Sequence, residues 1–326
     1  MHIVRGIRAT AWFVAGLLIP GSQTFAQEDG LVGLVRMVVP TLPGSGIDFA
    51  ARTIEQPLSG RLGRPVTVVN IAGAATITGS AFVARAVPDG HTLLVTSSAL
   101  ATNPATHRNM PYDALSDFAP IMQMTALPMV LVVHPSLPVK SVRALIDLAK
   151  AQPEQISFAT PGKGSSPHLY MELLFGMTGI RMLHMSYAGP GPAIREIVTG
   201  NAAVMAMSTV VLLPHIRTGR LRAIGVTGTR RTPVAPDLPT LAESGVPGYS
   251  AVQWWCMLAP ARTPTNIIAR LHREITSVLL SKDIKDRLAM EGADVVASSP
   301  EHFAAHIRAE MEKWTKVVKA AGIHPE

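Results

Sequence analysis

Apolar residues along this chain fall in short unbroken runs, each stopped by a turn rich in Gly and Pro and followed by a stretch with helical spacing. Leu34 to Val39 is the first run; Pro40-Thr41-Leu42-Pro43-Gly44-Ser45-Gly46 stops it, and Ile47 to Leu62 predicts a helix that Pro57 kinks or ends. Val66 to Asn70 reads as a second strand. Gly73 to Thr78 leads into a helix through Ala86, closed by Pro88-Asp89-Gly90, and His91 to Thr96 is the next strand, ending at Ser97 and Ser98.

From Asn103-Pro104 to Pro120 the chain reads as a loop. Two strands, Ile121 to Thr125 and Met129 to His134, and a helix over Val142 to Ala151 follow. The opening unit then recurs as the strand Ile156 to Ala159, the turn Thr160 to Ser166 and the helix Pro167 to Met177, with Pro in its first turn. His184 to Tyr187, Gly189-Pro190-Gly191 and Pro192 to Thr199 repeat it once more. Val204 to Ser208 and Ala223 to Thr227 bracket a helix near Val211 to Thr218, and Tyr249 to Ala259 is a long apolar run carrying Trp254 and Trp255. Ile267 to Leu280, Lys282 to Met290 and Pro300 to Ala321 read as amphipathic helices. This alternation predicts α/β domains with largely parallel sheets.

The N-terminus departs from the pattern. Arg5 and Arg8 precede the apolar run Ala11 to Ile19, and Thr24-Phe25-Ala26 precedes a polar stretch, which is the layout of a cleaved signal peptide over 1–26. The run is too short to cross a bilayer, which takes about 20 residues. Export of a 326-residue chain that is 48% hydrophobic and 16% charged implies a globular protein large enough for two domains. A single cysteine, Cys256, excludes an internal disulfide, and its apolar surroundings predict an inert buried thiol. The net charge of +7 is scattered and aromatics are only 5%, which argues against nucleic acid as partner and suits anionic solutes.

Four Gly-rich turns, Gly44 to Gly46, Gly73 to Thr76, Gly162 to Ser166 and Gly189 to Gly191, each open a predicted helix. Unpaired N–H groups and the helix dipole let such openings hold a carboxylate or phosphate without Arg. In open α/β sheets they collect at the carboxyl edge of the strands. A P-loop is excluded because Ser157 stands where its first Gly belongs and Gly164 follows Lys163; a dinucleotide turn is excluded because Gly44-Ser45-Gly46 lacks the third Gly. No cofactor is expected. No His-Glu-x-x-His pairing exists, so no metal site is expected, and the histidines are expected to be solvated or to cap helices. Asp48 lies in a first helical turn, where a carboxylate suits the dipole. Ser165, Ser166 and His168 are neighbours, but no Gly-x-Ser-x-Gly elbow accompanies them, so no catalytic residue is assigned.

Several motifs together resemble one family, the receptors of tripartite tricarboxylate transporters, or Bordetella uptake gene (Bug) proteins. They are Val39 to Asp48, Val83 to Gly90, Met110-Pro111-Tyr112-Asp113, Asp117-Phe118-Ala119-Pro120, Gly162 to Leu169, Leu213-Pro214-His215-Ile216, Pro236 to Thr240 and Leu258-Ala259-Pro260. The resemblance implies a two-lobed α/β periplasmic-binding-protein fold of type II-like topology, with two crossing strands as hinge and a ligand cleft between the lobes. The crossing strands would match Met129 to His134 and Ser250 to Leu258, giving a first lobe of 27–128 and 251–326 around a second of 129–250.

It implies ligand contacts from Leu42, Gly46, Asp48, Ala75, Thr76 and Ser97 in the first lobe and Ser165, Ser166, His168 and Tyr187 in the second, to which the aromatic pair adds Trp254. Ala75-Thr76-Ile77-Thr78-Gly79 stands where the family usually has Gly-Gly-Asn-Ile-Gly, and Met207-Ser208 where Asp-Asn is common. Those departures favour a plain carboxylate or an aromatic acid over an amino acid. The implied partners are a small organic acid and membrane transporter subunits, for a periplasmic monomer that is not an enzyme. A ligand sensor using the same cleft, and a periplasmic hydrolase at Ser165 and His168, remain as alternatives.

Overall fold

The computed structural model describes residue 2 and residues 33–325, so all of the expected signal peptide but His2 lies outside the described residues. The first unit of the chain builds β1 (Val35–Val39), α1 (Gly46–Leu62), β2 (Val66–Asn70), α2 (Ile77–Ala84), β3 (Thr92–Ser97) and α3 (Ala99–Thr106). A long strand, β4 (Phe118–Val133), leads out of it. The second unit runs α4 (Val142–Ala151), β5 (Ser157–Thr160), α5 (Ser166–Thr178), β6 (Leu183–Ser186), α6 (Pro190–Val198), β7 (Val204–Ser208), α7 (Thr209–Arg217) and β8 (Arg222–Val226). The chain returns on β9 (Val252–Pro260) and finishes with α8 (Thr265–Leu279), α9 (Lys282–Ala289), β10 (Asp294–Val295) and α10 (Pro300–Ala320).

In the first lobe β1 pairs in parallel with β2 and β3, while β9 runs antiparallel between β3 and β4, and β10 pairs antiparallel with β4. In the second, β5 pairs in parallel with β6 and β7, and β4 pairs antiparallel with β7 and β8. The sheets are therefore mixed rather than largely parallel. The strands that pass between lobes must run against the βα units they join, and periodicity within a strand carries no such direction.

The two apolar stretches expected as separate strands are one strand. β4 pairs with β9 from Phe118 to Pro128 and with β7 from Met129 to Val133, so Pro128 sits at the changeover between sheets. A residue without an N–H is tolerated where one ladder ends and the next begins. Likewise Pro57 lies inside a continuous α1, and part of the segment expected as a loop forms α3.

Buried apolar residues cover both faces of both sheets. Leu93, Val95 and Met257 meet α1 and α8 on one face of the first sheet, and Val38, Leu94 and Trp254 meet α2 and the start of α10 on the other. In the second lobe Leu131 and Phe158 meet α4 and α5, while Val130 and Met205 meet α6 and α7. The segment 251–326 was expected to lie wholly in the first lobe, and α10 departs from that. Phe303 and Ile307 pack in the first lobe, yet Trp314, Val317, Val318 and Ile323 pack in the core of the second. The Trp314 ring stacks on Tyr170 of α5 at 5.2 Å and its Nε1–H donates to Glu310 at 2.9 Å. Apolar positions on one helix can serve two cores, which amphipathic spacing alone does not reveal.

Candidate functional site

The first Gly-rich turn is held from within. Gly44 N–H and Arg52 Nε–H donate to Asp48 Oδ2 at 2.9 and 3.0 Å, and Asn70 Nδ2–H donates to Asp48 Oδ1 at 2.8 Å. Asp48 N–H in turn donates to the N-cap hydroxyl of Ser45 at 3.2 Å, closing a capping arrangement. Burial pushes the Asp48 carboxyl up, but the hydrogen bonds from Arg52, Gly44 and Asn70 outweigh it and hold it below its ordinary value. Asp48 thus shapes the turn. Gly46 is required by a close approach: a Cβ there would lie 2.8 Å from Cζ2 of Trp255, whose indole lies against the first turn of α1.

The second turn carries backbone strain. After Gly73 the residues Ala74, Ala75 and Thr76 have φ of 43°, 51° and 80°, the left-handed region that favours glycine. Asn103 of α3 clamps this segment, donating from Nδ2 to the Ala75 carbonyl at 2.8 Å. Thr76 then caps α2 without a side-chain hydrogen bond to the helix. Ser97 ends β3 nearby, 5% exposed.

On the opposite lobe the loop Pro161 to Gly164 leads into α5. Ser165 is its N-cap, but the hydroxyl donates to the Gly162 carbonyl at 2.6 Å and leaves the first-turn N–H groups without a side-chain cap. His168 is 3% exposed and buttresses the loop from behind. Gly164 N–H donates to His168 Nδ1 at 3.0 Å, so the ring proton is on Nε2, which faces Glu172 Oε1 at 3.4 Å. The His168 ring stacks on His184 at 4.0 Å, and His184 stacks on Phe158 at 4.7 Å. Thr160 Oγ1 meets His184 Nε2 at 2.6 Å. Burial, then the neighbouring His168 and Lys163, push the His184 imidazole down to about 4. The expectation that each histidine is solvated or capping therefore fails for this pair, which forms an imidazole stack under the loop.

These elements face one another across a cavity of about 660 Å³ lined by Ala75, Thr76 and Ser97 from one lobe and Ser165 and Ser166 from the other. A second cavity of about 310 Å³ is lined by Ser45, Gly46, Ser208 and Trp255. Gln253 of β9 lines both. Leu42 is 72% exposed and lines neither cavity. Tyr187 packs against the second-lobe core, its N–H on the Thr160 carbonyl at 3.0 Å.

One placement corrects an expectation outright. Trp254 is fully buried, edge-on to Phe303 at 5.6 Å, and does not wall the cleft. Side chains alternate along β9, so Gln253 and Trp255 share the cleft face and Trp254 takes the other. Gln253, Trp255 and Asn103 went unassigned from sequence. A polar residue inside the apolar run at 252–260 was the available signal for the first.

Among the described residues, no group of three or more acidic, His or Cys side chains could hold a metal ion, and no helix is long and apolar enough to cross a membrane. Cys256 is buried, and burial raises its thiol well above the ordinary value.

The family model described as tripartite tricarboxylate transporter family receptor matches residues 50–323. Protein BugT of Bordetella pertussis is 36% identical over 290 residues, covering 88% of this chain and 89% of that protein. The solved structure of R. palustris Rpa4515 with adipate is 33% identical at a TM-score of 0.74, covering 90% of this chain and 98% of the other. The periplasmic binding protein BugD is 30% identical at a TM-score of 0.71, covering 90% and 99%.

Proposed function

Because the chain belongs to the tripartite tricarboxylate transporter family of receptors, we propose that it captures a small organic carboxylate between its lobes, as Rpa4515 holds adipate, and presents it to the membrane subunits of such a transporter. The observation that carries this reading is the pair of helix openings, at α2 and α5, that reach one cavity from opposite lobes without a side-chain cap. At α2 the N–H groups of Ile77 and Thr78 turn back to the carbonyls of Ala74 and Gly73, so the uncapped N–H groups of α5 together with the two helix dipoles favour an anion there. Hydroxyls of Thr76, Ser97 and Ser166 line the same cavity and can complete the carboxylate's hydrogen bonds.

The first lobe, built on 33–128 with 251–299, and the second, built on 129–250, share α10, whose start packs in the first and whose end packs in the second, and they close by a hinge where β4 changes sheets at Pro128 and where the chain re-enters at Ala251. Both lobes that line the cavity belong to the same chain, and the proposed binding unit is a monomer. The protein acts in the periplasm, as BugD does. Its role is read as binding rather than catalysis: Ser165 is engaged by Gly162, and both ring nitrogens of His168 face partners inside the lobe, so these two residues do not pair as nucleophile and base.

Trp255 supplies the assay. Titrating aliphatic and aromatic carboxylates should give a saturable change in tryptophan emission and a matching rise in melting temperature, since a ligand at about 100 times its Kd stabilises by about 2.7 kcal/mol. If no acid in a panel of mono-, di- and tricarboxylates moves either signal, the reading is wrong.

A further inference from the structure

The loop from Pro161 to Gly164 lines the cavity of about 660 Å³ and leads into α5, yet its glycines have almost nothing packed against them. Gly162 and Gly164 take φ of 152° and 75°. Among the described residues, a Cβ added at Gly162 would meet no heavy atom within 4 Å, and one at Gly164 would meet only Thr106 Cγ2, at 3.9 Å. Glycine has more backbone freedom to lose on ordering than any other residue, and packing at these two positions does not offset that loss. Hydrogen bonds must hold the loop instead.

They do so at three points. Gly189 N–H, at the start of α6, donates to the Pro161 carbonyl at 3.1 Å and anchors the beginning. The Gly162 carbonyl accepts from Ser165 Oγ at 2.6 Å and from Thr160 Oγ1 and Ser165 N–H, each at 3.3 Å, which folds the middle back on its own flanks. The end is tied by Gly164 N–H, which donates at 3.0 Å to Nδ1 of His168, one turn along α5. That acceptor is itself fixed. The His168 ring is buried, stacks on His184 at 4.0 Å and faces Glu172 Oε1 from Nε2 at 3.4 Å, while Phe158 backs His184 at 4.7 Å.

We infer that His168 is a positioning residue for carboxylate binding: without touching the acid, it holds the loop 161–164 through the Gly164 amide in the shape that the acid meets. The inference rests on the carboxylate reading and adds to it a residue that the cavity lining does not include. A loop ordered beforehand spares the complex the entropy of ordering it, so losing the acceptor weakens binding even where the lobe stays folded.

The test separates the acceptor from the packing. In His168→Asn the introduced amide oxygen takes the place of the imidazole Nδ1 and accepts from Gly164, but the smaller side chain leaves a cavity; His168→Phe fills the space of the ring and accepts nothing. Acetate, adipate, benzoate and citrate are titrated calorimetrically into the full mature chain, and the acid that wild type binds most tightly is carried to both variants, with urea denaturation and NMR exchange of the Gly164 amide proton measured beside it. His168→Phe should raise the Kd about tenfold and speed Gly164 exchange by a similar factor, whereas His168→Asn should keep both within about threefold of wild type despite a denaturation midpoint lowered by the cavity. Wild-type affinity in His168→Phe, equal losses in the two variants, or affinities that follow the denaturation midpoints rather than Gly164 exchange overturn the inference and leave carboxylate capture standing. Wild type also decides without any variant: Gly164 should be protected from exchange before the acid is added, and protection that arises only with the acid overturns the inference too. Binding of none of the four acids by wild type removes the carboxylate reading, and the inference with it.

Discussion

Acid should loosen the second lobe through His184. The ring lies between Phe158 and His168, with Thr160 Oγ1 on Nε2 and Lys163 nearby, and its ionisation is pushed from 6.5 down to about 4. A histidine depressed in the folded state favours the neutral ring, so its contribution is intact above about pH 6.5 and is lost as pH falls towards 4. Full linkage over that interval would be about 3 kcal/mol; partial exposure of the ring and solvent screening bring it to about 1–2 kcal/mol. Urea denaturation at pH 7, 5.5 and 4.5, followed by tryptophan emission, measures it, because Trp314 is buried beside Tyr170 in that lobe. His184→Phe keeps a ring in the stack and removes the titration. The wild type should lose about 1–2 kcal/mol more than the variant between pH 7 and 4.5, over and above the losses from carboxylates common to both. Equal losses in the two proteins would refute the assignment.

Glycine at position 75 or 76 should relieve left-handed strain and raise stability by about 1 kcal/mol each, read from the urea midpoint. Gly46→Ala should cost about 1–3 kcal/mol and shift tryptophan emission, since the added methyl meets the Trp255 ring. Asp48→Ala should cost about 2–4 kcal/mol by stranding Arg52 and Asn70, and should weaken carboxylate binding by loosening the turn at 44–46. Cys256 should resist alkylation in the native protein and react only on unfolding, which a mass-shift time course in urea would show.

Local pattern located most strands and the helices that follow them because each obeys a period set by its own neighbours. What it missed required knowledge of the other side of the sheet. Ile121 to Thr125 and Met129 to His134 read as two strands until Pro128 between them was placed where one ladder gives way to the next, and Trp254 looked like a cleft residue until the register of Ser97 with Trp255 fixed which face was which. The same limit bears on Ser166 and His168, both expected as ligand contacts. Two residues apart on a helix, they project about 200° from each other, so Ser166 reaches the cleft while His168 drops into the lobe.

The cleft itself shows why a site of this type is only partly legible. Its helix openings are local features, and Gly, Ser and Thr clusters mark them in sequence. Its walls are assembled from a central strand and a C-terminal tail, brought to positions 75 and 165 only by the crossing of β4 and β9 and by the reversal at Gly322. The glycine positions of the resembled family explain one departure physically: Ala75 and Thr76 occupy left-handed backbone where glycine would be unstrained, and the Asn103 clamp on the Ala75 carbonyl holds them there. Strain maintained by a buried amide at the mouth of a binding cavity implies that the shape of that turn, with Thr76 directed at the ligand side, matters more to this chain than the stability that glycine would restore.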